Sequence, residues 1–115
     1  MTNCLIRTEQ DEDRTAISRL HEAAFGRHFE ARLVETLRRK ARPYLGLVAI
    51  AHDELIGHLL FTPVRCAMQP EARLLGLAPM AVKPEFQKQG IGTRLIKGGL
   101  SAARDTGARA VVVLG

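Results

Sequence analysis

The chain has 115 residues, of which 46% are apolar and 25% charged, and its formal net charge is +5. This length and balance predict one globular domain, residues 1–115, and argue against disorder. With four phenylalanines, one tyrosine and no tryptophan, the chain has little to build a base-stacking surface for nucleic acid, and no apolar run is long enough to cross a membrane.

The cysteines and histidines show no metal-binding pattern. Cys4 and Cys66 are isolated, and the four histidines lack a spacing such as His-Glu-x-x-His. We therefore predict no metal site. Isolated cysteines without a recognisable signal peptide favour a reduced, cytoplasmic setting.

The chain opens with a predicted strand and helix. The strand covers residues 4–7, and the acidic cluster at 9–13 suits the start of a helix. This first helix runs to about Ala24 and ends at Gly26. Its buried stripe is predicted to consist of Ile17, Leu20 and Ala24.

A second helix is predicted over residues 29–40, with Pro43 stopping the chain soon after it. Its predicted buried residues are Phe29, Leu33, Val34 and Leu37. Basic residues match the negative end of the helix dipole and are expected to be solvated there. They are Arg38, Arg39, Lys40 and Arg42.

Three strands are predicted next. Residues 44–52 and 55–64 form an antiparallel hairpin around Asp53-Glu54, a weaker turn than Asp-Gly that allows a longer loop. Residues 65–71 are a connection, and residues 72–82 form the third of these strands. Pro79 lies inside it and cannot donate to a ladder, which predicts that the strand splays from its neighbour there. The amides of residues 80–82 are then left for a partner that is not protein, although an edge or bulge proline without a ligand fits as well.

A glycine motif follows. Gln87, Gly90 and Gly92 form Gln-x-x-Gly-x-Gly before an amphipathic pattern that predicts a helix from about Ile91 to Arg104. The first amides of a helix lack intrahelical acceptors and the dipole is positive there, so the loop predicts a phosphate site. The spacing matches neither a dinucleotide fingerprint nor a Walker loop. The structural alternative is that the glycines only permit a tight turn into the helix.

The last predicted element is a parallel strand covered on both faces, residues 110–114, reached through a C-cap at Thr106-Gly107. Within the helix before it, Gly98 and Gly99 each cost about 1 kcal/mol relative to alanine. We therefore expect the helix to pack closely on the sheet. The predicted order is β-α-α-β-β-β-α-β.

Residues 79–96, Pro-Met-Ala-Val-Lys-Pro-Glu-Phe-Gln-Lys-Gln-Gly-Ile-Gly-Thr-Arg-Leu-Ile, resemble the acetyl-CoA-binding motif of the GNAT (Gcn5-related N-acetyltransferase) superfamily, with its Gln/Arg-x-x-Gly-x-Gly/Ala signature. Strand, turn, glycine motif and helix occur in register. The resemblance implies an α/β fold with a GNAT-like mixed β-sheet and flanking helices, truncated after the fifth strand. It also implies an N-acetyltransferase that uses acetyl-CoA as co-substrate and a small-molecule or peptide amine as acceptor.

The same resemblance assigns cofactor contacts. For pantetheine and the thioester they are Met80, Ala81 and Val82. For the pyrophosphate they are Lys88, Gln89, Gly90, Ile91, Gly92 and Thr93. Residues that could add positive charge near the phosphates are Lys83, Lys88 and Arg94.

The catalytic residues stay unknown at this point. Family members often place a glutamate base on the fourth strand, but residues 73–82 contain no carboxylate, and the only tyrosine, Tyr44, does not match the family's acid. Three glutamates lie on helices that flank the acceptor side in the family: Glu22, Glu30 and Glu35. The alternative function is a CoA-binding module without turnover. A fifth strand without further neighbours would expose an edge, to which a second copy of the chain could pair.

Overall fold

The computed structural model describes residues 3–113 as a five-stranded mixed sheet with helices on both faces. The elements are β1 (Leu5–Thr8), α1 (Arg14–Phe25), α2 (Phe29–Lys40), β2 (Leu45–Ala51), β3 (Glu54–Cys66), β4 (Gln69–Val82), α3 (Ile91–Asp105) and β5 (Ala110–Val113). Strands lie in the order β1-β2-β3-β4-β5, with only β4 and β5 parallel. The predicted order of elements is confirmed; Leu114, also predicted in β5, lies outside the described residues.

The two central hairpins are tighter than predicted. The turn between β2 and β3 consists of His52 and Asp53, both with positive φ, and Ala51 pairs with Glu54. The prediction of a longer loop is therefore wrong. The predicted connection at 65–71 is also wrong, because β3 and β4 continue to pair as far as Cys66 and Gln69. The ladder extends through this polar stretch because each strand satisfies the backbone groups of the other. The side chain of Cys66 lies outside the described residues.

The buried face of α2 differs from the prediction. Phe29 is 61% exposed, whereas Glu30, Ala31, Val34 and Arg38 are buried. Arg38, predicted to be solvated, is 2% exposed because Glu9 pairs with it inside the protein. On α1, Ile17 and Leu20 are buried as predicted, Ala24 is half-buried, and His21 is fully buried.

The core lies on both faces of the sheet. On one face, Ile91 and Leu95 of α3 pack against Leu59 and Phe61 of β3. On the other face α1 and α2 contribute Ile17 and Val34, which pack against Val48 and Leu60. Neighbouring residues of β3 thus serve opposite layers, as the alternation of a strand requires.

Helix α3 approaches the sheet most closely at Gly99. A Cβ there would lie 2.6 Å from Cε2 of Phe61 and 2.9 Å from Cδ2 of Leu59. The prediction of close packing is confirmed at this position. At Gly98 only one atom, Cγ2 of Ile6, would come as near as 3.0 Å.

We expect Gly99→Ala to lower the free energy of unfolding by about 1–2 kcal/mol, because overpacking outweighs the gain in helix propensity. Gly98→Ala is the matched control, and its change should stay within about 0.5 kcal/mol because propensity and mild crowding offset each other. Urea denaturation followed by circular dichroism measures both. Equal stability of Gly99→Ala and the wild type would show that the helix can shift away.

The expectation that β5 is covered on both faces is wrong. Val111 packs against the core, but Val112 and Val113 are 41% and 72% exposed. Strand β5 is the outermost strand of the described sheet, and α3 covers only one face of it. No helix within residues 3–113 is long and apolar enough to span a membrane.

Candidate functional site

The described pairing of strand β4 with β5 covers only the middle of β4. The described ladder with β5 runs from Leu74 and Ala110 to Leu77 and Val113. On its other side β4 stays paired with β3 to the end of the strand. Between these stretches β4 has a bulge, because Leu77 pairs with Phe61 and Met80 with Leu59, leaving Ala78 and Pro79 opposite a single residue. The splay from β5 stays a prediction, because Val113, the partner of Leu77, is the last described residue of β5.

The bulge decides which way the following amides point. The amide of Lys83 donates to the carbonyl of Ile56 at 2.8 Å, so Lys83 faces β3. Alternate residues of an antiparallel strand face the same neighbour. Ala81 therefore also faces β3, whereas the amides of Met80 and Val82 point away from β3. The expectation that all three amides are free is wrong for Ala81.

The loop after β4 leads into the N-terminus of α3. The side-chain amide of Gln87 donates to the carbonyl of Val82 at 3.0 Å and ties the loop to the end of the strand. Gly90 is the N-cap residue, with φ of 82°, and no side chain caps the helix. A residue with a Cβ is strained at this φ, which explains the glycine. The first amides of α3, from Ile91 to Thr93, have no intrahelical acceptor and mark the positive end of the helix dipole.

These parts form an open groove beside α3, which we call the α3 groove. It brings together most of the predicted cofactor residues. Its lining is Met80, Val82, Phe86, Gln87, Lys88, Gly90, Ile91, Gly92, Thr93 and Ile96. Ala81 does not line this groove and is buried, and the side chain of Gln89 donates to the carbonyl of Glu85 at 3.4 Å.

Of the three basic residues expected near the phosphates, only Lys88 lines the α3 groove. Lys83 forms ion pairs with Glu54 and Glu85. Arg94 donates to Sγ of Cys4 at 3.1 Å. Their positive charges are therefore directed elsewhere.

A second groove lies on the opposite side of the sheet, beside α2, and we call it the α2 groove. Its lining is Phe25, Arg27, Phe29, Glu30, Leu33, Leu37, Thr62, Leu77, Ala78, Pro79 and Met80. Met80 lines both grooves. The two grooves, on opposite sides of the sheet, thus meet at the bulged part of β4.

Among the glutamates on the flanking helices, only Glu30 lines the α2 groove. It accepts a hydrogen bond from Nε of Arg27 at 2.9 Å, and this bond holds the pKa of Glu30 below its usual value. Glu22 instead pairs with His28, and Glu35 with Arg38.

A buried chain of polar side chains lies between α1, α2 and the sheet. Nε2 of His21 lies 2.9 Å from Nδ1 of His58, and Nε2 of His58 lies 2.8 Å from Oε1 of Glu9. The other oxygen of Glu9 accepts from Nε of Arg38 at 2.9 Å. All four side chains are at least nine-tenths buried. We call these four residues the buried relay.

Burial and mutual contacts set the charges in the buried relay. Burial would raise the pKa of Glu9, but the hydrogen bond from His58 and the charge of Arg38 outweigh it and lower the pKa. Burial lowers the pKa of His58 despite Glu9. Burial, together with His58 and Arg38, lowers the pKa of His21 to about 3. At neutral pH the relay therefore holds an ionised glutamate, a charged arginine and two neutral imidazoles.

Sequence reasoning missed the buried relay, although one signal was present. His21 and Arg38 each follow a buried apolar residue, Ile17 or Val34, by four positions on a helix, and His58 is two positions from Leu60 on the same face of β3. These periodicities place three polar side chains on inward faces. Within residues 3–113, no group of three or more His, Cys, Asp or Glu side chains is arranged to hold a metal ion.

The chain resembles known proteins over nearly its whole length. The model of the acetyltransferase (GNAT) family matches residues 7–115. The uncharacterized N-acetyltransferase YjhQ of Escherichia coli (strain K12) is 40% identical over 106 residues, which cover 90% of this chain. The match spans 59% of the length of YjhQ.

Two crystal structures show the same fold. A GNAT family acetyltransferase from Brucella melitensis in complex with acetyl-CoA has a TM-score of 0.88 and 36% identity, covering 100% of this chain and 77% of that chain. The GNAT family N-acetyltransferase YhbS from Escherichia coli in complex with CoA has a TM-score of 0.89 and 34% identity. The match covers 100% of this chain and 64% of that chain. The family model matches all but the first six residues, so this chain belongs to the acetyltransferase (GNAT) family.

Proposed function

We propose that residues 1–115 form one N-acetyltransferase domain that transfers an acetyl group from acetyl-CoA to a primary amine. The observation that carries this proposal is the meeting of the α3 groove and the α2 groove at Met80. A thioester held on one side of the sheet and an amine held on the other would come together there. Alignment of two reactants in this way is a large part of what such a reaction needs.

In this proposal the chain binds acetyl-CoA in the α3 groove. The amides at the start of α3 and the side chain of Lys88 bind the pyrophosphate. The outward amides of Met80 and Val82 bind the pantetheine arm, and one of them stabilises the oxyanion at the thioester carbonyl. Ala81 shapes the site by packing alone, because its amide faces β3. The complexes of two relatives with acetyl-CoA and CoA support the choice of ligand.

The α2 groove would hold the acceptor. Its apolar wall includes Phe25, Phe29 and Leu33, and its charged residues are Arg27 and Glu30. Because Arg27 already pairs with the carboxylate of Glu30, the apolar wall is the feature that would favour an acceptor, an amine that carries an apolar body.

Isothermal titration with acetyl-CoA, followed by a free-thiol assay over a panel of primary amines, tests the proposal. We expect saturable binding and amine-dependent release of CoA thiol. Binding without release beyond hydrolysis would make the chain a CoA-binding module. Absence of binding would contradict the proposal altogether.

Gly92→Glu should separate cofactor binding from folding. A Cβ at this position meets only Cε of Met80 at 3.5 Å and Cγ2 of Val82 at 4.0 Å, so the fold accepts a side chain. We expect acetyl-CoA affinity to fall roughly tenfold or more, because the carboxylate repels a diphosphate a few ångströms away. Isothermal titration measures the effect.

Two control variants accompany Gly92→Glu. Gly92→Gln has the same size without the charge and should lose less affinity. Ser101→Glu adds the same charge at an exposed position of α3 outside the groove and should bind as the wild type does. Equal affinity of Gly92→Glu and the wild type would place the pyrophosphate elsewhere.

A further inference from the structure

The buried relay has a fixed direction of hydrogen bonding. The ionised carboxylate of Glu9 can only accept, so Nε2 of His58 donates to it. His58 is neutral, so its Nδ1 carries a lone pair and accepts from Nε2 of His21. His21 is neutral as well, so its own Nδ1 must carry a lone pair. The ionisation of one carboxylate thus sets the tautomers of both rings.

Nδ1 of His21 is the last atom in this series of hydrogen bonds, and it has no partner of its own among the described residues. It is buried and has no hydrogen-bond partner among the described residues. A buried acceptor without a donor costs about 1–3 kcal/mol, so a donor from outside the chain, a water molecule or part of a ligand, is expected at this atom.

His21 contacts a residue that lines the proposed acceptor groove. Its ring lies parallel to that of Phe25, with 6.0 Å between centroids, and Phe25 lines the α2 groove. His58 pairs with Ala81 on β4, one residue from Met80, where the two grooves meet. The relay therefore reaches from the protein interior to the wall of the acceptor groove.

We propose that Nδ1 of His21 takes up, through one bound water, the proton that the attacking amine loses, and that His58 and Glu9 carry it inward. This inference rests on the proposed acetyl transfer. It supplies the base that the fourth strand lacks. His58 and Glu9 act as positioning residues, because they act on the reaction through His21.

The proton transfers balance. The neutral amine forms its bond to the thioester carbon, and its proton passes to the water, whose own proton goes to Nδ1 of His21. The Nε2 proton of His21 moves to Nδ1 of His58, and the Nε2 proton of His58 moves to Glu9. When the carbon–sulfur bond breaks, the sulfur keeps the electron pair and is protonated from solvent. The protons then move back along the same path, from Glu9 to Nε2 of His58 and from Nδ1 of His58 to Nε2 of His21. Nδ1 of His21 releases its proton to solvent through the water, which restores both tautomers.

Charged groups from several elements act on the two imidazole rings of the relay. Arg38 of α2 and Asp13 before α1 act on His58, while Glu30 of α2 acts on His21 from the side of the α2 groove. The negative charges of Glu9 and Glu30 favour a positive charge on the imidazole rings, whereas the positive charge of Arg38 disfavours it. A proton would therefore pass through the imidazoles without settling on them.

The first test reads the tautomers directly. In the chain labelled with ¹⁵N-histidine, we expect both His21 and His58 to be protonated at Nε2 and unprotonated at Nδ1 at neutral pH. A proton on Nδ1 of His21 would overturn the proposal, because the lone pair would be absent. This measurement needs neither turnover nor a variant.

The second test uses His58→Gln, whose amide can donate to Glu9 and accept from His21 but cannot pass a proton along. We expect kcat for thiol release to fall about 100-fold, with the acetyl-CoA affinity within about twofold of the wild type because the relay does not line the α3 groove. His28→Gln, at an exposed histidine, is the matched control and should retain kcat.

The outcomes separate this inference from the proposed function. Equal kcat in a folded His58→Gln and the wild type would overturn the relay and leave acetyl transfer intact. If the wild type binds acetyl-CoA but releases no thiol with any amine, acetyl transfer fails and the relay's role fails with it. The tautomer result decides the relay if His58→Gln does not fold.

Discussion

Replacing Glu9 with leucine is expected to lower the free energy of unfolding by about 3–5 kcal/mol. Glu9 lies between Arg38 and His58, and all three side chains are nearly inaccessible to solvent. Without the carboxylate, Arg38 keeps a buried charge whose remaining carboxylate partner, Glu35, is about half exposed. Urea denaturation monitored by circular dichroism measures the loss.

The double variant Glu9→Leu with Arg38→Met is the control for this cost. Replacing both members of a buried ion pair with apolar residues is often close to neutral, so the double variant should recover at least half of the lost stability. A single variant that loses less than about 1 kcal/mol would contradict the burial of an uncompensated charge. A double variant no more stable than Glu9→Leu would also contradict it.

Acidification is expected to destabilise the protein well above the range in which carboxylates titrate. The pKa of His21 falls from 6.5 to about 3 on folding, so the unfolded chain binds the proton first. Stability from the neutral ring is complete above pH 6.5 and declines as pH falls toward 3. From pH 7 to pH 5 the loss for His21 alone is about 2 kcal/mol.

The other members of the relay act in the same direction. The pKa of His58 is also lowered by burial. The lowered pKa of Glu9 adds stability that is lost as pH falls below 4.5. Denaturant titrations at pH 7, 6 and 5 measure the contribution of the histidines, and a titration below pH 4.5 adds that of Glu9.

His21→Gln keeps a donor for His58 and removes one titrating ring. Its stability should fall less between pH 7 and pH 5 than that of the wild type, by about 2 kcal/mol. The exposed His28→Gln serves as the control and should follow the wild type. Identical pH dependence in His21→Gln and the wild type would contradict a pKa of His21 that burial lowers.

The elements of this fold could be predicted because their signals are local. The bounds of α2 are those predicted, since an apolar pattern and Pro43 define them within the segment itself. Gly90 caps α3 as the glycine motif indicates. The bulge in β4 lies at Pro79, which cannot donate to a ladder.

The parts that could not be predicted depend on partners distant in sequence. Phe29 is exposed and Arg38 buried on the same helix, which reverses what hydrophobicity alone indicates. Arg38 can be buried only because Glu9, 29 residues earlier in the chain, neutralises it. In the sequence, Glu9 belongs to the acidic cluster that predicts the start of a helix. His21 and His58 are joined across 37 residues by a contact that no motif describes.

Amide hydrogen exchange with and without saturating acetyl-CoA tests the central assignment most directly. We predict slower exchange at Met80, Val82 and the first amides of α3, with little change at Ala81, whose amide already faces β3. Saturable binding of acetyl-CoA that leaves Met80 and Val82 at their ligand-free exchange rates would contradict the proposed cofactor site.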